Sequence, residues 1–105
     1  MLDKLMEMKK RMDEVKARLD AITVTGDADQ GKVKIHMNGN KKVTAVNIAP
    51  ELLDTGDSEQ LEDLIQVAVN RALEQAERVN ESEMRSVAGG LLPGMPGLFW
   101  GFIQQ

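Results

Sequence analysis

The sequence predicts an α+β fold: an N-terminal helix, a three-stranded antiparallel sheet, a long C-terminal helix and a Gly/Pro-rich apolar tail. Three patterns carry this expectation. Leu5, Met8, Met12, Val15, Leu19 and Ile22 recur at alternating spacings of three and four, a heptad seam with no Gly or Pro inside it. Val33, Ile35 and Met37 alternate with Lys32, Lys34 and His36, the period-two pattern of a strand with one buried face. Leu61, Leu64, Ile65, Ala68, Val69, Ala72, Leu73 and Ala76 then return to the helical period.

The first helix is expected over residues 1–20. Thr23-Val24-Thr25 reads as a short strand ending near Gly26, followed by a polar turn from Asp27 to Gly31. Lys32 to Asn38 forms the second strand. Asn38-Gly39 signals a hairpin, since both residues tolerate positive φ. Val43 to Ile48 returns as the third strand. Its apolar set, Val43, Val46 and Ile48, breaks strict alternation, which points to a bulge near Thr44-Ala45 or to cover on both faces. Pro50 ends the ladder, and Pro50 to Asp54 can form a single helical turn. Asp57 is the expected N-cap of the last helix, with Gln60 three residues on. That helix is expected to run to about Arg85.

The 105 residues suit one domain, over 1–85, with residues 86–105 as its tail. At 1.5 Å per residue the last helix spans roughly 42 Å. A compact domain of this size has a radius of gyration of about 13 Å, so the mostly polar second half of the helix projects or is covered by a second copy. A thin sheet with few large apolar residues makes a homodimer the natural solution.

Charge is unevenly spread. The chain carries a net −4, yet residues 1–48 hold ten Lys/Arg against seven Asp/Glu, a net +3, while residues 49–105 hold three against ten, a net −7. Local potential decides nucleic-acid binding more than the total does. Lys9, Lys10, Arg11, Lys16 and Arg18 can form a phosphate-facing strip on the first helix. Alternatively they are a solvated or internally paired face, and the i,i+4 pairs Glu7–Arg11 and Glu14–Arg18 favour that plainer reading. Both flanks of the heptad seam are basic, so two copies of this helix zipped together would set like charges face to face. The seam is therefore expected to pack on the sheet or on the acidic last helix.

All three aromatic residues, Phe99, Trp100 and Phe102, lie in the tail, and no charged side chain occurs from Ser86 to Gln105. Seven Gly and Pro residues between Gly89 and Gly101 exclude a membrane-spanning helix there. The tail is expected to tuck against the long helices or to be mobile. No Cys is present, which removes disulfides, thiolate metal sites and a Cys nucleophile. The single His, His36, has no carboxylate or Cys cluster beside it in sequence, so no metal site and no cofactor are expected. No nucleophile–base pair is visible, and the chain is not expected to be an enzyme.

In order and spacing, VKIHMNG at Val33–Gly39, VTAVNIAPELLD at Val43–Asp54, LEDLIQVAVNRALEQAE at Leu61–Glu77 and LPGMPGLF at Leu92–Phe99 resemble the YbaB/EbfC family of bacterial nucleoid-associated proteins. The resemblance covers nearly the whole chain. It implies a tweezer-like homodimer with the long helices as arms, a cytoplasmic, nucleoid-associated location, and binding to double-stranded DNA with limited sequence preference. Effects on transcription or chromosome organisation follow from the same resemblance. Carried over residue by residue, it adds Arg78 and Arg85 of the last helix to Lys9, Lys10, Arg11, Lys16 and Arg18, with Arg71 as a lesser contributor. The rival expectation is an interaction dimer whose apolar tail docks a protein partner.

Overall fold

The computed structural model describes residues 2–91, with side chains as far as Val87. Leu92 to Gln105, and with them the expectations for the aromatic tail, lie outside the described residues. The elements are α1 (Leu2–Ala21), β1 (Thr23–Ala28), β2 (Val33–Asn38), β3 (Val43–Ile48), α2 (Pro50–Asp54) and α3 (Ser58–Leu91). The sheet is antiparallel in the order β1-β2-β3. The α+β fold and its element order are those the sequence patterns predict.

One face of the sheet is the core face. Val33, Ile35 and Met37 of β2 are at most 2% exposed there, joined by Ala28 of β1. Each such aliphatic side chain contributes roughly 1.5–3 kcal/mol on burial. Ala68, Ala72 and Ala76 of α3 pack against them at 0% exposure. α3 lies over β1 and β2 and leaves β3 largely uncovered. Val46 and Val43 sit opposite Ile35 and Met37 in register, on the same face, yet remain 52% and 50% exposed. The pairing skips a residue after His36↔Ala45, so a bulge falls at Thr44, where the broken alternation placed it.

Gly26 departs from its expected role. It lies buried inside β1, which continues to Ala28 and takes Asp27 into the strand. The reason is the approach of α3: a Cβ on Gly26 would lie 2.1 Å from the Ala68 carbonyl oxygen and 2.3 Å from the Ala72 nitrogen. The turn begins only at Asp29, where Asp29, Gln30 and Gly31 all take positive φ. Two α3 side chains serve the outer rim of β1. Arg71 Nη1 donates to the Asp27 carbonyl at 2.8 Å, and Gln75 Nε2 donates to the Thr25 carbonyl at 2.7 Å.

The β2–β3 hairpin forms as expected, but neither Asn38 nor Gly39 has positive φ. Asn38 N donates to the Lys42 carbonyl (2.9 Å) and Lys41 N to the Asn38 carbonyl (3.0 Å), enclosing a three-residue loop. The left-handed residue is Lys41, at φ 67°. For an L-residue other than glycine, that region carries a penalty of about 1–2 kcal/mol. Gly39 is needed for space instead: its Cβ would fall 2.7 Å from Leu19 Cδ2 and 2.9 Å from the Leu19 carbonyl oxygen.

α2 is the expected single turn. Asp57 Oδ1 accepts from Gln60 N at 3.0 Å, capping α3 at its start. α3 runs six residues beyond Arg85, to Leu91. Its second half does not project alone. α1 lies beside it, with Val15 and Leu19 buried and with Val79, Asn80, Glu83, Met84 and Val87 of α3 half-buried. The seam of α1 thus packs on the acidic last helix. The result is an elongated molecule, 61 Å along its longest axis, in which a two-helix arm leaves one end of the sheet. Toward the start of α1 the seam opens to solvent, and Leu5 is 65% exposed.

Candidate nucleic-acid interface

The expected basic residues occupy different sides of the arm. With 100° per residue, Arg11 and Arg18 fall on one flank of the buried α1 seam, and Lys9 and Lys16 on the other; Lys10 points away from it. The arginine flank is internally paired. Arg11 Nη2 meets Glu7 Oε1 at 2.9 Å, the expected i,i+4 pair. Arg18 does not pair with Glu14. Its Nε and Nη2 both donate to Glu83 Oε2 of α3, at 3.2 and 3.0 Å. Coulomb attraction and the two-point geometry favour a carboxylate across the helix pair over one on the same helix.

On the other flank the lysines are exposed. Among the described residues none of the ion pairs involves Lys9, Lys10 or Lys16. This flank abuts the β2–β3 hairpin. Asn40 Nδ2 donates to the Lys16 carbonyl at 2.9 Å and also to Asp20 Oδ1. Gly39 N donates to the Leu19 carbonyl at 2.8 Å. From α3, Asn80 Nδ2 donates to the Gly39 carbonyl at 3.3 Å. Inside the loop, buried Asn38 accepts the backbone N–H of Asn40 (2.9 Å) and of Lys42 (3.2 Å) on its Oδ1. The hairpin is therefore locked into the crook between both helices. Lys41 and Lys42 are exposed at its tip.

Arg78 and Arg85 stand seven residues apart on one side of α3. Arg78 lies about 160° around the helix from Asn80, which marks the hairpin side. Arg71 shares the side of Arg78 and Arg85, and its guanidinium is engaged on β1. Glu74, Glu77 and Glu81 fill the adjoining outward surface of α3. The structure thus separates the α3 arginines from Lys9 and Lys16, with Glu74 and Glu81 one turn from Arg78 on its own side of the helix.

His36 lies on the open face of the sheet, half-buried. Its Nδ1 is 2.9 Å from Thr25 Oγ1 and its Nε2 is 3.0 Å from Asn47 Nδ2. It is a cross-strand link with both ring nitrogens occupied. Among the described residues no group of three or more His, Asp or Glu is placed to hold a metal ion, and no helix is long and apolar enough to cross a membrane.

Lys41 and Lys42, exposed beside the Lys16 flank, are basic residues that the sequence pattern did not single out. The available signal was the run Lys41-Lys42 immediately after a turn; its nearness to Lys16 depends on long-range contacts.

These features define a small α+β protein whose distinctive chemistry is a charged helical arm. A sequence profile of the YbaB/EbfC DNA-binding family matches residues 1–91. A nucleoid-associated protein of Caldanaerobacter subterraneus subsp. tengcongensis is 39% identical over 99 residues, covering 94% of this chain and 87% of that protein. One from Chlorobium phaeobacteroides is 40% identical over 94 residues, covering 90% and 83%. Among solved structures, an uncharacterized protein of Helicobacter pylori has the same fold at a TM-score of 0.63 and 22% identity, covering 74% of this chain and 90% of that one. The chain belongs to the YbaB/EbfC family of nucleoid-associated, DNA-binding proteins, which is not an enzyme family.

Proposed function

We propose that this protein binds duplex DNA as a homodimer, through backbone contacts with limited sequence preference, in the nucleoid of a bacterial cytoplasm. The observation that carries the reading is the exposed lysine flank of α1, Lys9 and Lys16, unpaired among the described residues, in a member of a DNA-binding family. Lysines that replace condensed counterions on phosphates make affinity fall steeply with salt. In a gel-shift assay on random and AT-rich duplexes, both should bind at low salt and weaken together as salt rises. Lys9→Glu with Lys16→Glu should reduce affinity on the order of 100-fold at about 0.1 M salt, given roughly eightfold per phosphate contact plus the new repulsion. Absence of binding at low salt, or binding indifferent to salt, rejects the reading.

The homodimer is supported by β3. Val43 and Val46 extend the apolar face past the cover of α3, and among the described residues no strand pairs with the outer side of β3. Val46→Glu should convert a dimer, by mass in solution, to a folded monomer with unchanged circular dichroism; a mass that stays dimeric removes β3 from the interface.

The second reading is a dimer whose apolar tail docks a protein partner. It is favoured by the uncharged segment from Ser86 to Gln105 with Phe99, Trp100 and Phe102, and by the net −7 of residues 49–105. On that reading, removing residues 93–105 abolishes capture of the partner and leaves DNA affinity unchanged.

A further inference from the structure

We propose that the β2–β3 hairpin is itself a phosphate-binding element. Lys41 and Lys42 continue the row of Lys9 and Lys16 from the arm onto the body, so that the hairpin side of the molecule faces the DNA backbone. This rests on the DNA-binding reading and names which surface carries it.

Three observations converge. The first is position. Asn40 ties the hairpin to the Lys16 carbonyl and to Asp20, so the loop lysines extend the side of α1 that carries Lys9 and Lys16. The charges on this side are Lys9, Lys16, Lys41 and Lys42 against Asp13, Asp20 and Glu77, which stands about 60° around α3 from Asn80; Asp20 already accepts hydrogen bonds from Asn40 and Asn38. The competing surfaces are weaker. Arg11 and Arg18 are paired with Glu7 and Glu83, and Arg78 stands one turn from both Glu74 and Glu81.

The second is backbone strain. Lys41 holds φ 67°, where glycine would sit without penalty. A lysine kept in that conformation, exposed and outside every ion pair of the described residues, points to a use for its charge. The third is rigidity. The loop is fixed by both Asn38 bonds, by Gly39 on Leu19 and by Asn80. Its ammonium groups are therefore carried on a backbone that needs little ordering on binding.

The strain supplies a clean test, because Lys41→Gly removes the charge while relaxing the backbone. Fluorescence anisotropy of the full chain with a random-sequence duplex, across a salt series, should compare wild type with Lys41→Gly/Lys42→Gln and with Lys34→Gln, a single-charge control near the opposite end of β2. The hairpin variant should lose on the order of 50-fold in affinity at about 0.1 M salt and flatten the log–log salt slope by about 2, near 0.9 per lost contact. Its melting temperature should be unchanged or higher, and Lys34→Gln should stay within about twofold of wild type, as expected for a group off the contact surface. Wild-type binding with an unaltered affinity and slope in the hairpin variant overturns this proposal and leaves the DNA reading intact. A wild type that does not bind at low salt overturns both.

Discussion

Gly26→Ala should lower the stability of the folded chain by about 3 kcal/mol, the upper end of the range for overpacking a core. For a chain of this size that is a fall in melting temperature of more than about 10 °C. The added methyl carbon would meet the Ala68 carbonyl oxygen, the Ala72 nitrogen and, at 2.9 Å, the Ala72 Cα. All three are backbone atoms of α3, so no rotamer change on the helix makes room. The helix must withdraw from β1, which also lengthens the bonds from Arg71 and Gln75 to the strand. Truncating a neighbouring α3 side chain should therefore not rescue the variant. A urea midpoint equal to wild type for Gly26→Ala contradicts the close approach. The alanines complete the same device, since Ala68, Ala72 and Ala76 keep the helix surface flat where it meets the glycine.

Asn38→Leu should cost about 2 kcal/mol, although it replaces a polar side chain only 8% exposed with an apolar one of similar volume. The Asn38 oxygen accepts two loop N–H groups, those of Asn40 and Lys42, and leucine leaves both without that partner. Amide hydrogen exchange at Asn40 and Lys42 should accelerate in the variant ahead of the β1–β2 amides; uniform acceleration across the sheet would show a global defect instead. Asn38→Asp keeps the acceptor but sets a carboxylate beside Asp20, whose Oδ1 now receives Asn38 Nδ2 at 3.4 Å. Repulsion between two carboxylates favours proton uptake by the folded state. The penalty of Asn38→Asp should therefore shrink as pH falls through the carboxylate range.

The readable part of this fold was the part written in short-range periodicity. Alternation at Val33, Ile35 and Met37 placed the central strand, and the lapse in alternation at Thr44-Ala45 placed the bulge. The α3 stripe placed the helix that covers them. The basic flanks of the α1 seam directed it to the sheet or to the acidic last helix, and its second half lies on α3. What escaped depended on contacts distant in sequence. Gly26 reads as a strand end because glycine is a local breaker, yet its cause is a helix backbone more than forty residues on. Gly39 marks the right hairpin for a different reason, the Leu19 side chain pressed against it. Arg18 choosing Glu83 over Glu14 is likewise a tertiary outcome. For the candidate site, sequence charge counting found the arm and its lysines. It set them on the two flanks of the seam, but it had no means of telling that Arg18 pairs across to Glu83 or that the Lys41-Lys42 loop attaches at Lys16.

The two margins of the sheet are unequal. Along β1, the Thr25 and Asp27 carbonyls are already taken by Gln75 and Arg71, whereas among the described residues no strand pairs with the margin of β3. Open strand margins invite runaway stacking of copy upon copy. In the dimer proposed above, two copies joined at β3 would carry at each end of the joined sheet a β1 margin whose Thr25 and Asp27 carbonyls are already occupied, so growth would stop at two and a fibre would have nowhere to start.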